Sequence, residues 1–225
     1  MAIVALLVKV TFFEAFFKVH YTKGFRLTYP LPLPTSVAGM FGALLGIERH
    51  SMLQKMKGYL FGSKLLSHKG LTTEQATYIQ KIASAKPRRG VEGITIIIEP
   101  TYIIAIAGRE DAIKKFEKNL LIGYRFLPYG GQNDFFLKDL SVLGIRDVQI
   151  SKVIENYAPR DFVQRIEFKR GTMLETLPVV HFFEGISNMF YFIENGQLIL
   201  KEGRELPCVE GIGLYEIDKF RWVLG

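Results

Sequence analysis

The residues of this chain best able to do chemistry are four histidines, one cysteine and a scatter of lysines and tyrosines. His20, His50, His68 and His181 never pair at the i, i+4 spacing that sets two imidazoles on one helix face, and Cys208 stands alone. Neither a metal site nor a disulfide framework is expected. No cofactor is expected either, because the chain has no Gly-Lys-Ser/Thr loop and no Gly-x-Gly-x-x-Gly fingerprint. What remains is metal-independent cleavage of RNA. That reaction needs a base for the 2′-hydroxyl proton and a cation for the pentavalent phosphate. Tyr21 with His20, and His68 with Lys69, hold the right groups. Adjacency in sequence fixes no geometry, so these four are the alternative reading, and a binding role without catalysis leads. His181, in an apolar run, reads as a satisfied structural residue.

Groups that bind anions are more numerous. Thr35-Ser36 reads as the N-cap of a helix, whose free first amides and positive dipole favour an anion. Lys23, Arg26, Lys64, Lys86, Arg88 and Arg89 are placed to neutralise phosphates, with Phe25, Tyr29, Tyr59 and Phe61 interspersed. Cations alternating with rings suit a single-stranded nucleic acid, where phosphates meet Lys or Arg and bases stack. Gly130, Gly131, Gln132 and Asn133 form a second candidate, a tight turn offering amides to a backbone. An ordinary connection between subdomains would have the same spacing.

Charge supports that emphasis. The 225 residues carry a net +7, yet residues 1–90 hold 13 Lys and Arg against 3 Asp and Glu, a net of +10. Residues 91–225 hold 16 against 19, a net of −3. Such asymmetry points to a polyanion-facing first part. At 48% apolar the chain builds a real core and is not a disordered tail. Met1 to Phe17 is apolar but carries Lys9 and Glu14 and lacks a cleavage pattern, so it does not read as a signal peptide. The expectation is a cytoplasmic protein without a membrane partner.

The elements that must position these groups follow in order. Ile3 to Lys18 reads as a buried strand, and Pro30, Pro32 and Pro34 as a rigid approach to a helix over Val37–Glu48. The small residues Gly39, Ala43 and Gly46 fall near one helix face and read as a tight packing surface. An irregular basic insertion follows. Gly93–Ile98 and Thr101–Ala107 read as strands, Ala112–Asn119 as a helix with acids in its first turn, and Leu121–Leu127 as a fourth core strand. That order is the split βαβ, or ferredoxin-like, arrangement that also serves RNA-recognition domains. Short strands follow, with Asn195-Gly196 as a type I′ hairpin turn. The fold class is α+β. Residues 1–139 form a ferredoxin-like, RNA-recognition-type domain with a basic β-hairpin inserted at about 59–92. Residues 140–225 form a small, mostly antiparallel β subdomain.

Two stretches carry a resemblance. Tyr29-Pro30-Leu31-Pro32-Leu33-Pro34-Thr35-Ser36, running into Gly39, Gly42, Ala43 and Gly46, resembles the entry and first helix of the CRISPR-associated Cas-five family. Leu127-Pro128-Tyr129-Gly130-Gly131-Gln132-Asn133-Asp134-Phe135-Phe136 is similar to the same family. The family, part of the RAMP superfamily, caps the crRNA 5′ handle in type I Cascade complexes of antiviral defence. The resemblance implies an inserted thumb between about Tyr59 and Gly93, crRNA and the backbone and large Cascade subunits as partners, and usually no catalysis. One branch, in type I-C systems, cleaves pre-crRNA with a Tyr/Lys/His set that includes a Lys-His pair. Here the order is reversed, as His68-Lys69.

Overall fold

The apolar run at the start forms β1 (Ile3–Phe12), and its alternate side chains face two different cores. Leu6, Val8 and Val10 join one core, and Ala5 and Leu7 join another on the opposite face. The computed structural model describes residues 3–20, 22, 24–80 and 88–220. Tyr21, Lys23 and Lys86 lie outside the described residues.

β1 is central in a five-stranded antiparallel sheet. The sheet's other strands are β2 (Leu60–Ser67), β5 (Thr101–Arg109), β6 (Leu137–Asp147) and the short strand Tyr215–Glu216. The order across the sheet is Tyr215–Glu216, β2, β5, β1, β6. Helices α1 (Pro34–Leu45) and α3 (Glu110–Ile122) provide the crossovers, and α2 (Met52–Met56) packs beside α1. With the short strand set aside, this is the ferredoxin-like order, and the α+β class is as expected.

Several boundaries differ from the sequence reading. The helix begins at Pro34, with extended Leu33 as N-cap and no side-chain cap, so Thr35 and Ser36 sit in the first turn instead. Proline needs no amide partner there and its φ is already helical. The second core strand is β2, not Gly93–Ile98. The latter belongs to β4 (Arg88–Ile98), which pairs with β3 (Gly70–Gln80) as the inserted hairpin. Its root is tied to the body by Glu14–Ala15 and by Phe25–Arg26, the latter pairing in parallel. Leu121–Leu127 is not a strand. Ile113 and Leu120 continue one buried stripe, so α3 runs on to Ile122 and a loop follows. The fourth core strand is β6, which crosses position 139/140. Leu7 pairs with Gly144 and Val8 with Val142, so a bulge at Leu143 breaks the two-residue period of β6.

The C-terminal part is built on a long hairpin, β7 (Val163–Pro178) against β8 (Met189–Leu200). Asn195-Gly196 lies inside β8 and not at a reversal. Phe168 pairs with Gly196 and Met173 with Glu194, so the positive φ of Asn195 serves a bulge opposite residues 169–172. The Thr172 hydroxyl donates to Asn195 O at 2.6 Å, and Asn195 Nδ2 donates to Arg170 O at 2.8 Å.

The sheet face away from the helices is covered at Ala5, Leu7, Ala105 and Ala107 by Val209, Ile212 and Leu214. An RNA-recognition domain that reads bases on its open sheet would have this surface bare. Here much of it is core.

Candidate nucleic-acid interface

A surface open to a large ligand lies on the helix side. Along α1 the buried residues Val37, Ala38, Phe41 and Leu44 face the sheet. Gly39 and Ala43 turn to an open groove of about 1030 Å³. A Cβ at Gly39 would meet nothing within 4 Å. The small face is therefore open at Gly39 and tightly packed only at its end, where a Cβ on Gly46 would strike the Arg125 side chain. Close packing also falls on Gly42, where a Cβ would strike the Met52 side chain.

The groove's far wall is the loop after α3. Arg125 donates its amide to Leu44 O at 2.9 Å and Phe126 to Ala43 O at 3.1 Å, where the last carbonyls of α1 need partners. The chain end of α1 is capped by left-handed Gly46, and the Arg125 stem lies across it. Arg125, Phe126 and Tyr129 are exposed along this wall, and Arg49 stands at one end. At the other end Thr35, Ser36 and Gly131 continue into a smaller pocket with Lys18, His20 and Gln132. The positive end of the α1 dipole opens there. Lys18, Arg49 and Arg125 bring positive charge, and no acidic side chain lines either part among the described residues.

Gly130 and Gly131 shape the mouth by close approach. The Gly130 amide donates to Phe135 O at 2.8 Å, so it is not a free donor for a ligand. Gly131 has φ +102, and a Cβ there would collide with the Phe16 carbonyl. Gln132 lines the pocket, while Asn133 is exposed beyond it.

The structure thus gathers Thr35, Ser36, Gly131, Gln132 and His20, with Gly130 behind them. It does not bring the other described candidates there. Lys64 pairs with Glu155, and Arg26 with Glu92 on the hairpin. Arg88 opens β4 and Arg89 is exposed farther along the hairpin from its root. Lys69 donates to Glu99 at 2.6 Å, and His68 Nε2 lies 3.3 Å from Glu194. His68 lines a different cavity from His20, so the two pairs form no single site. His181 is satisfied as expected: Phe183 N donates to its Nδ1 and Nε2 faces Ser187 O, both at 3.0 Å. Among the described residues no cluster of His, Cys, Asp and Glu could hold a metal.

Sequence reasoning missed Lys18, Arg49, Arg125 and Phe126. The available signal was the small-residue face of α1. A smooth helix face with nothing opposite it implies a ligand's path, and the cations flanking it then become candidates.

No family model matches the sequence, and no curated protein does. Solved structures do match. A chain of a "CRISPR RNA-guided surveillance complex" superposes with TM-score 0.54 at 16% identity, over 91% of each chain. A structure described as "Crystal structure of Cas protein" gives TM-score 0.43 at 14% identity, over 88% of this chain and 96% of that one. A "Type III-B Cmr-beta bound to cognate target RNA and AMPPnP" gives 0.40 at 10% identity, over 87% and 86%. The first shares this fold; the others are more distant. No helix among the described residues is long and apolar enough to cross a membrane.

Proposed function

We propose that this chain is an RNA-binding subunit of a CRISPR effector complex, and that it holds the repeat-derived 5′ handle of the crRNA along α1. The observation that carries the reading is the groove itself. It is smooth on the Gly39/Ala43 side, walled by exposed Phe126 and Tyr129, flanked by Lys18, Arg49 and Arg125, and lined by no acid among the described residues. Rings offer stacking to unpaired bases and cations offer contacts to phosphates. The fold shared with a chain of an RNA-guided surveillance complex supports the same assignment. The hairpin β3/β4 then reaches a backbone subunit, and the remaining surface meets the large subunit.

The role is that of a scaffold and not of a nuclease. Supporting this, His68 and Lys69 are each engaged by a carboxylate away from the groove. The test is binding of handle RNA against a scrambled RNA of equal composition at low salt, alone and with a backbone subunit. Preference for the handle is expected, and equal binding of the two overturns the reading. Incubation with repeat RNA in EDTA should leave it intact. A single cut ending in a 2′,3′-cyclic phosphate would make the chain an endoribonuclease, with Tyr21, His20, His68 and Lys69 as its candidates.

A further inference from the structure

Under the root of hairpin β3/β4 lies a small cavity of about 20 Å³, room for one water. Its polar groups come from three elements. His68 enters from the turn between β2 and β3, Glu175 from β7 and Glu194 from β8. Leu65, Leu71, Ile97 and Phe192 make much of the remainder apolar. His68 Nε2 is 3.3 Å from a Glu194 oxygen. His68 Nδ1 is buried and has no hydrogen-bond partner. Met173 pairs with Glu194 and Glu175 with Phe192, which places both carboxylates on one face as diagonal neighbours, about 7–8 Å apart at the backbone. The Tyr102 hydroxyl on β5, also buried and unpartnered, feels the Glu194 charge. Burial, with the Glu194 charge added, pushes the Glu175 carboxyl up, and His68 opposes that. Lys69, next in sequence, is held by Glu99.

Two carboxylates and a neutral imidazole in such a place carry two uncompensated negative charges, which an apolar environment penalises. One added proton halves that charge. It also makes His68 a donor through both nitrogens, one to Glu194 and one into the cavity. The three groups span the hairpin root and the C-terminal hairpin, so their attraction holds the two together. We propose that His68, Glu194 and Glu175 form a proton-operated latch between hairpin β3/β4 and hairpin β7/β8. Bound proton closes it, and loss of the proton as pH rises loosens the hairpin root. The inference does not depend on RNA.

Amide exchange of the RNA-free chain tests it, followed from about pH 5 to about pH 9 and corrected for intrinsic rates. Protection at Lys69, Leu71 and Ile97, relative to amides of β1, should fall about tenfold as pH rises, a loss of about 1.4 kcal/mol. Glu194→Gln keeps the side-chain shape and should flatten the profile, as should His68→Gln. A wild-type ratio independent of pH overturns the latch. So does a profile that survives in either variant, and if His68→Gln does not fold, Glu194→Gln decides.

Discussion

The Gly130 carbonyl accepts the Phe16 amide at 2.7 Å, so the loop after α3 is stitched to the chain that leaves β1. This contact places the mouth of the groove, because Gly131 and Gln132 follow directly. A Cβ on Gly130 would sit 2.6 Å from the Glu14 carbonyl, a backbone atom that cannot yield cheaply. Gly130→Ala should cost about 1–3 kcal/mol, as overpacking does, and lower both the melting temperature and RNA affinity.

Gly39 separates stability from binding. Space around it is open, and glycine inside a helix costs about 1 kcal/mol relative to alanine. Gly39→Ala should therefore raise the melting temperature. Gly39→Trp should leave it nearly unchanged while filling the groove, with RNA affinity down at least about tenfold, or about 1.4 kcal/mol. Thermal unfolding and gel shift on the same samples check both. Unchanged affinity in Gly39→Trp would move the RNA elsewhere.

Salt dependence separates groove cations from structural ones. Each phosphate contact on a single strand contributes about −0.7 to the slope of log K against log salt. Arg125→Gln should lower the slope magnitude by about that amount. Lys64→Gln breaks the pair with Glu155 and should lower stability instead, leaving the slope alone. Neutralising Arg125 in the groove should weaken binding more than neutralising Arg204, which lies over the Phe162 ring.

Local signals made the core topology legible and long-range ones did not. The proline-led helix, the strand at Thr101 and the acid-started α3 all stand at or near their expected places because caps, prolines and apolar stripes act over a few residues. β4 was read in the place of β2 because Gly93–Ile98 is rich in β-branched residues while Leu60–Ser67 has none, and only pairing tells a core strand from a returning hairpin strand. β6 escaped because its bulge at Leu143 erased the alternation. Asn195-Gly196 misled because the dipeptide fixes a positive φ and not the reversal that usually accompanies it. In the candidate groove, Thr35 and Ser36 were legible from the helix start, although the cap itself is Leu33. Arg125 was not, since what matters is its hydrogen bond to Leu44, across a separation no pattern encodes.

Asn156 holds the segment that covers the sheet. It is fully buried, its Nδ2 donates to Gly213 O and its Oδ1 accepts from Gly213 N, both at 3.0 Å. Asn156→Leu leaves both backbone groups unpaired beside the core, at a cost of about 1–3 kcal/mol for each buried group. The melting temperature should fall, and exchange at Ile212 and Leu214 should rise before that at β1. Uniform loss of protection would show that this segment and the sheet unfold as one unit.

Glu99 controls the acid side of stability at the hairpin root. Hydrogen bonds from Lys138 and Lys69, at 2.7 and 2.6 Å, hold its carboxyl down at about 2, from 4.5. A depressed carboxyl contributes stability that is complete above the unfolded value and lost as pH falls through the folded one. The window is thus about 4.5 down to about 2. Carbon-detected titration should place the Glu99 midpoint near the lower end, and Glu99→Gln should remove that part of the acid limb. Because the three side chains meet solvent, added salt should move the midpoint upward. A midpoint that ignores salt would mean that geometry, and not charge, sets it.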